Sequence, residues 1–230
     1  TPPGISPASS PTSTSRPTPD AGDVVHQMVF VPHDWRLALA TVLLAGIIDV
    51  TLGEPPNMLH PVVWMGRLVS ALERRRPRSR PGAEFAYGLT IVGVTAGAAV
   101  AAGLALTLAL DRLLWWVALP VGAYVLKTTF SLRGLVRAGR DVQRGLAADT
   151  AAARASLSAL VSRSSDLDPP LIVSATVESL AENLTDSVVS PLLYYALFGL
   201  PGALAYRAVN TMDAMLGYRD EREFVGKAAA

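Results

Sequence analysis

The fold is decided by residues 85–110, FAYGLTIVGVTAGAAVAAGLALTLAL, a stretch that contains no charged side chain. A helix needs about 20 consecutive apolar residues to cross a bilayer, and this stretch is longer than that. Small residues in such a helix favour close packing in lipid, because they let backbones approach each other. We therefore predict a transmembrane helix here, with a buried helix of a soluble protein as the alternative. The small residues are Gly93, Gly97, Ala98, Ala101, Ala102 and Gly103.

Two further apolar stretches, Leu37–Leu52 and Leu113–Phe130, are predicted as additional spans. Trp115 and Trp116 at the start of the second suit an interfacial aromatic belt. The whole chain is 50% hydrophobic and only 17% charged, where about 25% charged is usual for a soluble domain. The predicted fold class is an all-α, polytopic integral membrane helical bundle with cytoplasmic helices and loops.

Arginine-rich segments at residues 66–82 and 131–168 indicate an orientation. Basic loops stay on the cytoplasmic side, so a hairpin at Asp111-Arg112 between two spans would place both segments in the cytoplasm. We expect a multi-pass protein of the cell (inner or plasma) membrane. A net charge of +1 gives no reason to expect a nucleic-acid partner, and the absence of cysteine excludes disulfides, thiol catalysis and cysteine-ligated metals.

The chain divides into two parts by composition. Residues 1–34 begin with a Pro/Ser/Thr-rich segment that has too little apolar surface to offset the entropy of ordering. This part is predicted to be disordered, and residues 35–230 are predicted to form the membrane-embedded domain.

Acidic residues interrupt the apolar sequence at Glu178, Glu182 and Asp186. On an α-helix this i, i+4, i+8 spacing puts all three on one face. Three like charges at this spacing repel one another, so the face requires an arginine, a magnesium ion or a cationic substrate group. Charge in a membrane segment is costly and usually functional, although a solvated helix face is the alternative.

A second polar set follows an almost uncharged stretch. It would meet the acidic residues in space if residues 199–202, Gly-Leu-Pro-Gly, form a turn, and Gly and Pro are strong turn signals. The second set consists of Arg207, Asn210, Thr211 and Asp213.

A third group of polar residues closes the first apolar stretch. Asp49 lies in the predicted last turns of that helix, where an acid opposes the helix dipole, and Glu54 and His60 follow in a proline-broken loop. The loop is interpreted either as a cover for a polar pocket, with these residues as ligands or proton carriers, or as an ordinary membrane-surface loop.

Together these blocks resemble the CobD/CbiB family, the membrane-bound adenosylcobinamide-phosphate synthases of cobalamin biosynthesis. Where that family often has Asp, this chain has Glu54 and Ser164, and family members continue past the equivalent of Ala230, so a truncated domain is expected. The matching blocks are Asp49, Gly53-Glu54-Pro55, His60-Pro61-Val62 and Gly66, then Ser162-Arg163, then Glu178-Ser-Leu-Ala-Glu-Asn183 and Asp186, and then Pro191-Leu-Leu-Tyr194, Pro201-Gly-Ala203, Tyr206-Arg-Ala-Val-Asn-Thr-Met-Asp213 and Met215-Leu-Gly-Tyr218.

The resemblance implies ATP-dependent amide ligation of aminopropanol, or its phosphate, to the propionate carboxylate of adenosylcobyric acid. It implies a corrinoid substrate, ATP with Mg²⁺, a lipid bilayer as environment and no nucleic acid. The residues assigned to catalysis are Glu178, Glu182, Asn183 and Asp186, of which Glu178, Glu182 and Asp186 are also the metal ligands. The residues assigned to substrate binding are Arg163, Arg207, Asn210, Thr211, Asp213, Asp49, Glu54 and His60.

Two other functions remain open at this stage. Intramembrane carboxylates and helices broken by Pro or Gly also mark the ion pathways of transporters, and a non-catalytic membrane sensor or scaffold is the third possibility. A ligase predicts polar blocks on the cytoplasmic side, where ATP is present. A transporter predicts carboxylates near the bilayer midplane.

Overall fold

The computed structural model describes residues 35–77, 80–158, 168–217 and 223–228, and these residues form helices without any strand. This confirms the all-α prediction; the predicted disorder of residues 1–34 lies outside the described residues. The helices are α1 Trp35–Leu52, α2 Pro61–Glu73, α3 Pro81–Leu110, α4 Trp115–Lys127, α5 Leu132–Ala148, α6 Thr150–Ser158, α7 Pro169–Leu184, α8 Ser190–Leu216 and α9 Glu223–Gly226. A short 3₁₀ turn forms at Asn57–Leu59, and a π turn at Thr185–Val189 joins α7 to α8.

Three helical stretches are long and apolar enough to cross a membrane, judged by length and composition. Two of them, Trp35–Leu52 and Pro81–Leu110, agree with the predicted spans. The predicted span Leu113–Phe130 is instead the 13-residue helix α4, which contains Pro120 and packs on α1. At 1.5 Å per residue it extends about 20 Å, less than the bilayer core of about 30 Å. The third long stretch is Pro169–Leu216.

Helix α3 packs against α8 through one buried face, whose residues recur about once per helical turn. A Cβ added at Gly103 would lie 2.6 Å from the Cα of Pro201, so only glycine allows this approach of the two backbones. Among the described residues, nothing lies within 4 Å of a Cβ added at Gly93 or Gly97. The predicted close packing through small residues therefore occurs at Gly103 and not at Gly93 or Gly97. The buried face consists of Gly88, Ile91, Thr95, Ala99 and Gly103.

Replacing Gly103 with alanine is expected to destabilise the protein, because a methyl group would be forced against the Pro201 backbone. Overpacking of this kind costs about 1–3 kcal/mol. The measurement is the thermal unfolding midpoint in detergent. Gly97→Ala is the matched control on the same helix; it adds a methyl group into open space and is expected to leave the midpoint unchanged or raise it. Equal midpoints for the two variants would contradict the described α3–α8 contact.

Helix α8 reverses direction at Gly199, which has φ +64° and ψ −157°, a conformation that favours glycine. The ring centroids of Tyr194 and Tyr206 are 5.0 Å apart, whereas twelve residues of a straight helix span about 18 Å. Residues 190–198 and 200–216 are therefore two arms of a helical hairpin, called the first and second arm below. This confirms the turn predicted at residues 199–202.

Helix α7 packs on α5 and α6. Its buried side chains are Ile172, Thr176 and Ser179, and the α5 partner Gly139 would place an added Cβ only 3.0 Å from Leu180 Cδ1. Because residue 139 is glycine, Leu180 has room to pack there and α7 can lie close to α5. In the described part of the chain it is chiefly the π turn that reaches α8.

Candidate functional site: a charged cluster at the helix ends

Asp49 is buried because it lies on the packed face of α1, one turn after Ala45 and two turns after Thr41. Its Oδ2 accepts a hydrogen bond of 2.8 Å from the backbone N–H of Arg133 in the first turn of α5. Free N–H groups at a helix start need such acceptors. Asp49 therefore caps a helix distant in sequence, and its Oδ1 lies 3.5 Å from Lys127 Nζ.

Lys127 is the central cation of the cluster. It ends α4 with a side chain that is 0% exposed, and its Nζ lies 3.0 Å from Glu54 Oε2 as well as near Asp49. Buried charges require partners of opposite sign. Lys127 was not predicted as a site residue, because it falls inside the apolar stretch interpreted as the third span. A single lysine within such a stretch was the available signal.

Glu54 connects the loop after α1 to three other segments. Gly53 before it has φ +73°, which turns the chain towards the cluster. Ser131 Oγ donates to Glu54 Oε1 at 2.5 Å, and His60 Nε2 lies 3.1 Å from Oε2. His60 Nδ1 accepts from the N–H of Val62 at the start of α2, which leaves Nε2 as the ring nitrogen that faces Glu54.

The Glu54 carboxyl group is held as an anion. Burial acts to raise its pKa, but the hydrogen-bonding contacts with His60 and Ser131 and the nearby positive charge of Lys127 outweigh this effect and lower the pKa to about 2. The side chain is nevertheless 48% exposed. Glu54 therefore carries a negative charge on the solvent-exposed side of the cluster.

Arg133 fastens the loop to the end of α1. Its Nη1 donates to the carbonyl oxygens of Val50 at 3.2 Å and Thr51 at 2.8 Å, and its guanidinium lies against Gly53. Unpaired carbonyls at a helix C-terminus are stabilised by such cations. Arg133 was counted in the sequence only among basic loop residues.

The second arm of α8 brings Arg207 to this cluster. Arg207 interacts electrostatically with Glu54, and its Nη1 donates to Asn210 Oδ1 at 3.0 Å. Thr211 Oγ1 donates to the Arg207 carbonyl at 2.7 Å. The Nε of Arg207 is buried without a hydrogen-bond partner among the described residues. Arg207 is thus linked to Asn210 and Thr211 within its own helix, and the substrate-binding role of the three residues stays a prediction.

The π turn joins the cluster to the acidic segment. The backbone N–H of Ser131 donates to the Ser187 carbonyl at 3.2 Å, and Asp186 interacts with the Tyr206 hydroxyl, which also hydrogen-bonds with Ser190. The acidic segment and the second arm therefore meet through Asp186 and Tyr206. π turns inside helices are frequent at functional sites.

Other predicted site residues lie away from this contact. Glu178 and Glu182 are exposed on α7, and Asn183 donates to the Ser179 carbonyl of its own helix at 2.9 Å. Asp213 is exposed further along the second arm, and Arg163 lies outside the described residues. The described residues contain no group of three His or acidic side chains placed to hold a metal ion. The metal set of Glu178, Glu182 and Asp186 therefore stays a prediction.

The charge balance of the cluster favours an anionic ligand. The charged side chains of the cluster are three cations, Lys127, Arg133 and Arg207, and two carboxylates, Asp49 and Glu54. Among these five side chains one positive charge is in excess. Arginine guanidinium groups bind carboxylate and phosphate oxygens through two parallel hydrogen bonds, so a carboxylate or phosphate group fits beside Arg207.

The fold and the cluster define a helical membrane protein with a charged site where several helices end. A family model described as CobD/Cbib protein matches residues 42–230. The chain therefore belongs to the CobD/CbiB family, as its sequence blocks predicted.

Curated relatives agree with this assignment. The chain is 46% identical over 195 residues to a probable cobalamin biosynthesis protein CobD of Thermococcus kodakarensis, covering 84% of this chain and 64% of the relative. It is 46% identical over 193 residues to the same kind of protein in Pyrococcus abyssi, covering 81% and 62%. A cobalamin biosynthesis protein CobD of Dehalococcoides mccartyi is 40% identical over 194 residues, covering 84% and 63%. The chain thus spans less than two thirds of the length of these relatives. No solved structure matches it significantly.

Proposed function

We propose that this chain belongs to a membrane-embedded enzyme of cobalamin biosynthesis. The enzyme would join the propionate carboxylate of adenosylcobyric acid to aminopropanol, or its phosphate, as an amide, with consumption of ATP. The names of the relatives support the pathway. The observation that supports the chemistry is the charged cluster in which Arg207 interacts electrostatically with the anionic Glu54, while its buried Nε has no hydrogen-bond partner among the described residues.

Amide formation in water is unfavourable, so the carboxylate must first be activated. Transfer of a phosphoryl group from ATP to the carboxylate oxygen would give an acyl phosphate and ADP. The amine would then attack the acyl carbon, lose a proton and release phosphate. Fixed cations stabilise the negative charge that develops in both steps. Arg207 is suited to hold phosphate oxygens, and Arg163 is proposed as a second such group.

Glu178 and Glu182 are proposed as the carboxylates that accompany Mg²⁺. Magnesium usually binds one or two carboxylates together with substrate phosphates, and these two exposed side chains lie one turn apart on α7. When bound, the ion would neutralise charge on the ATP phosphates. Asp186, which interacts with Tyr206, is proposed as a less direct member of the set, and Asn183 as a group that positions substrate.

The proposed location is the cell membrane, with the site on the cytoplasmic face, where ATP is available. The arginine-rich turn between α2 and α3, which includes Arg74, Arg75, Arg76 and Arg80, supports this orientation.

The test is amide formation by membranes that contain the full-length protein. Product should require adenosylcobyric acid, the amino alcohol and Mg-ATP, each omitted in turn. Substrate movement across sealed vesicles without amide product would instead favour a transporter. An absence of both, with corrinoid binding retained, would favour a sensor or scaffold.

Glu182→Gln is expected to lower ligation strongly while membrane insertion stays normal, because the substitution keeps the shape of the side chain and removes its charge. The loss should be partly offset by higher Mg²⁺ concentration if the carboxylate accompanies the ion. Asp111→Asn, at an exposed turn, is the matched control and should ligate normally. Wild-type ligation by Glu182→Gln would show that the acidic face of α7 is only solvated.

A further inference from the structure

Lys127 has no assigned role, although a buried lysine is one of the most costly residues in a protein. Moving an ammonium group out of water is costly, and an ion pair offsets that cost only with good geometry. Lys127 is 0% exposed, whereas Lys227, the other lysine of the chain, is exposed. Packing alone therefore does not explain why the ammonium group of Lys127 is buried.

Two carboxylates, not one, converge on this single ammonium group. Asp49 is 1% exposed and is already fixed by the N–H of Arg133. That pair alone would neutralise Lys127. Glu54 approaches Lys127 more closely, at 3.0 Å, yet remains 48% exposed. The buried Lys127–Asp49 pair thus lies beneath Glu54, whose half-exposed carboxylate it holds in place.

Glu54 retains capacity for a ligand. A carboxylate has about four lone-pair positions, and this one is held from within by His60, Ser131 and Lys127 while its outer side faces solvent. Arg207 carries the opposite charge and interacts electrostatically with Glu54. An anion and a cation related in this way suit a short zwitterion with an ammonium group and a phosphate group.

We propose that Lys127 is a positioning residue, which holds Glu54 in place to receive the ammonium group of the amino alcohol while Arg207 receives its phosphate. This inference rests on the proposed ligase function. Lys127 itself is too deeply buried to touch substrate, so it acts through Glu54.

The charges around Glu54 give the inference a measurable pH dependence. Facing it are His60 from its own loop, Lys127 from α4, Arg207 from α8, and, behind Lys127, Asp49 from α1. In the wild type the Glu54 pKa of about 2 keeps the carboxylate ionised at every working pH. Without Lys127, less positive charge counteracts the effect of burial, and the pKa of Glu54 rises. Amine binding should then weaken as the pH falls.

The test compares Lys127→Met/Asp49→Asn with Asp49→Asn in membranes that contain the full-length protein. Removing both members of the buried pair avoids an uncompensated charge, and the amide oxygen that replaces the Asp49 carboxylate can still accept from Arg133. Initial ligation rates are measured from pH 4 to 8 with varied aminopropanol phosphate and varied ATP. Lys227→Met is the matched control and should behave as wild type.

We expect the double variant to show a KM for aminopropanol phosphate about tenfold higher than that of Asp49→Asn, equivalent to about 1.4 kcal/mol, with an unchanged KM for ATP. An acid limb should appear in the rate profile of the double variant and be absent from that of Asp49→Asn, because the pKa of Glu54 rises when Lys127 is removed. A uniform fall in kcat, with both KM values and the pH profile unchanged, would assign Lys127 a purely structural role and overturn the inference. Loss of the double variant from the membrane would do the same. Failure of the wild type to form amide would refute the proposed function itself, and the inference with it.

Discussion

Arg207→Lys is expected to lower amide ligation by about 10- to 100-fold while the protein inserts and folds normally. The guanidinium group already donates to Asn210 and keeps its buried Nε free of any described partner. Lysine keeps the charge but cannot reproduce the planar arrangement of donors. Hydrogen bonds to charged groups contribute about 1.5–3 kcal/mol, and about 1.4 kcal/mol corresponds to a factor of ten in rate.

Arg144→Lys is the matched control for this substitution. Arg144 is 75% exposed and pairs only with Asp141 within its own helix, among the contacts described. Its replacement should leave ligation unchanged. Wild-type rates for Arg207→Lys would show that the arginine serves packing or charge alone, and would remove the main support for a phosphate site on the second arm.

Asp49→Ala is expected to cause the largest loss of folded protein. The substitution removes the acceptor for the α5 N-terminus and one of the two counter-charges of the buried Lys127. Removing one partner of a buried ion pair costs about 3–5 kcal/mol, a large share of the total stability of about 5–15 kcal/mol that is typical of proteins. The measurement is the fraction of monodisperse protein after detergent extraction.

Asp111→Ala provides the comparison for Asp49→Ala. Asp111 lies exposed in the turn after α3, and its replacement should leave the yield of extracted protein unchanged. Equal yields for the two variants would contradict the structural role described for Asp49.

The long apolar helices could be predicted from sequence because length and hydrophobicity alone determine whether a helix can span a bilayer. The turn at Gly199 was also predictable, since Gly and Pro mark chain reversals. The length of α4 could not be predicted in the same way, because Pro120 and Lys127 were interpreted as parts of a continuous apolar stretch. The packing of α7 was not predictable either. It depends on the space that Gly139 leaves for Leu180 on a distant helix.

For the site, Asp49, Glu54, His60 and Arg207 could be named in advance because polar residues in apolar sequence are conspicuous. The arrangement of these residues in space could not be predicted. Lys127, Ser131 and Arg133 join the cluster through contacts that span 73 to 84 residues of sequence, and no local pattern encodes these. The acidic residues of α7 show the opposite case. Glu178 and Glu182 were conspicuous in sequence, yet they are exposed and lie away from the cluster.

The central claim is that the loop carrying Glu54 and the second arm carrying Arg207 form one site. A double-mutant cycle with Glu54→Gln and Arg207→Gln, measured as amide formation by membranes containing the full-length protein, tests it most directly. Residues that act in one site are coupled by about 0.5–3 kcal/mol, whereas distant ones are additive. We expect the double variant to be much less impaired than the product of the two single effects. Strictly multiplicative losses would show that Glu54 and Arg207 act independently and would contradict a shared site.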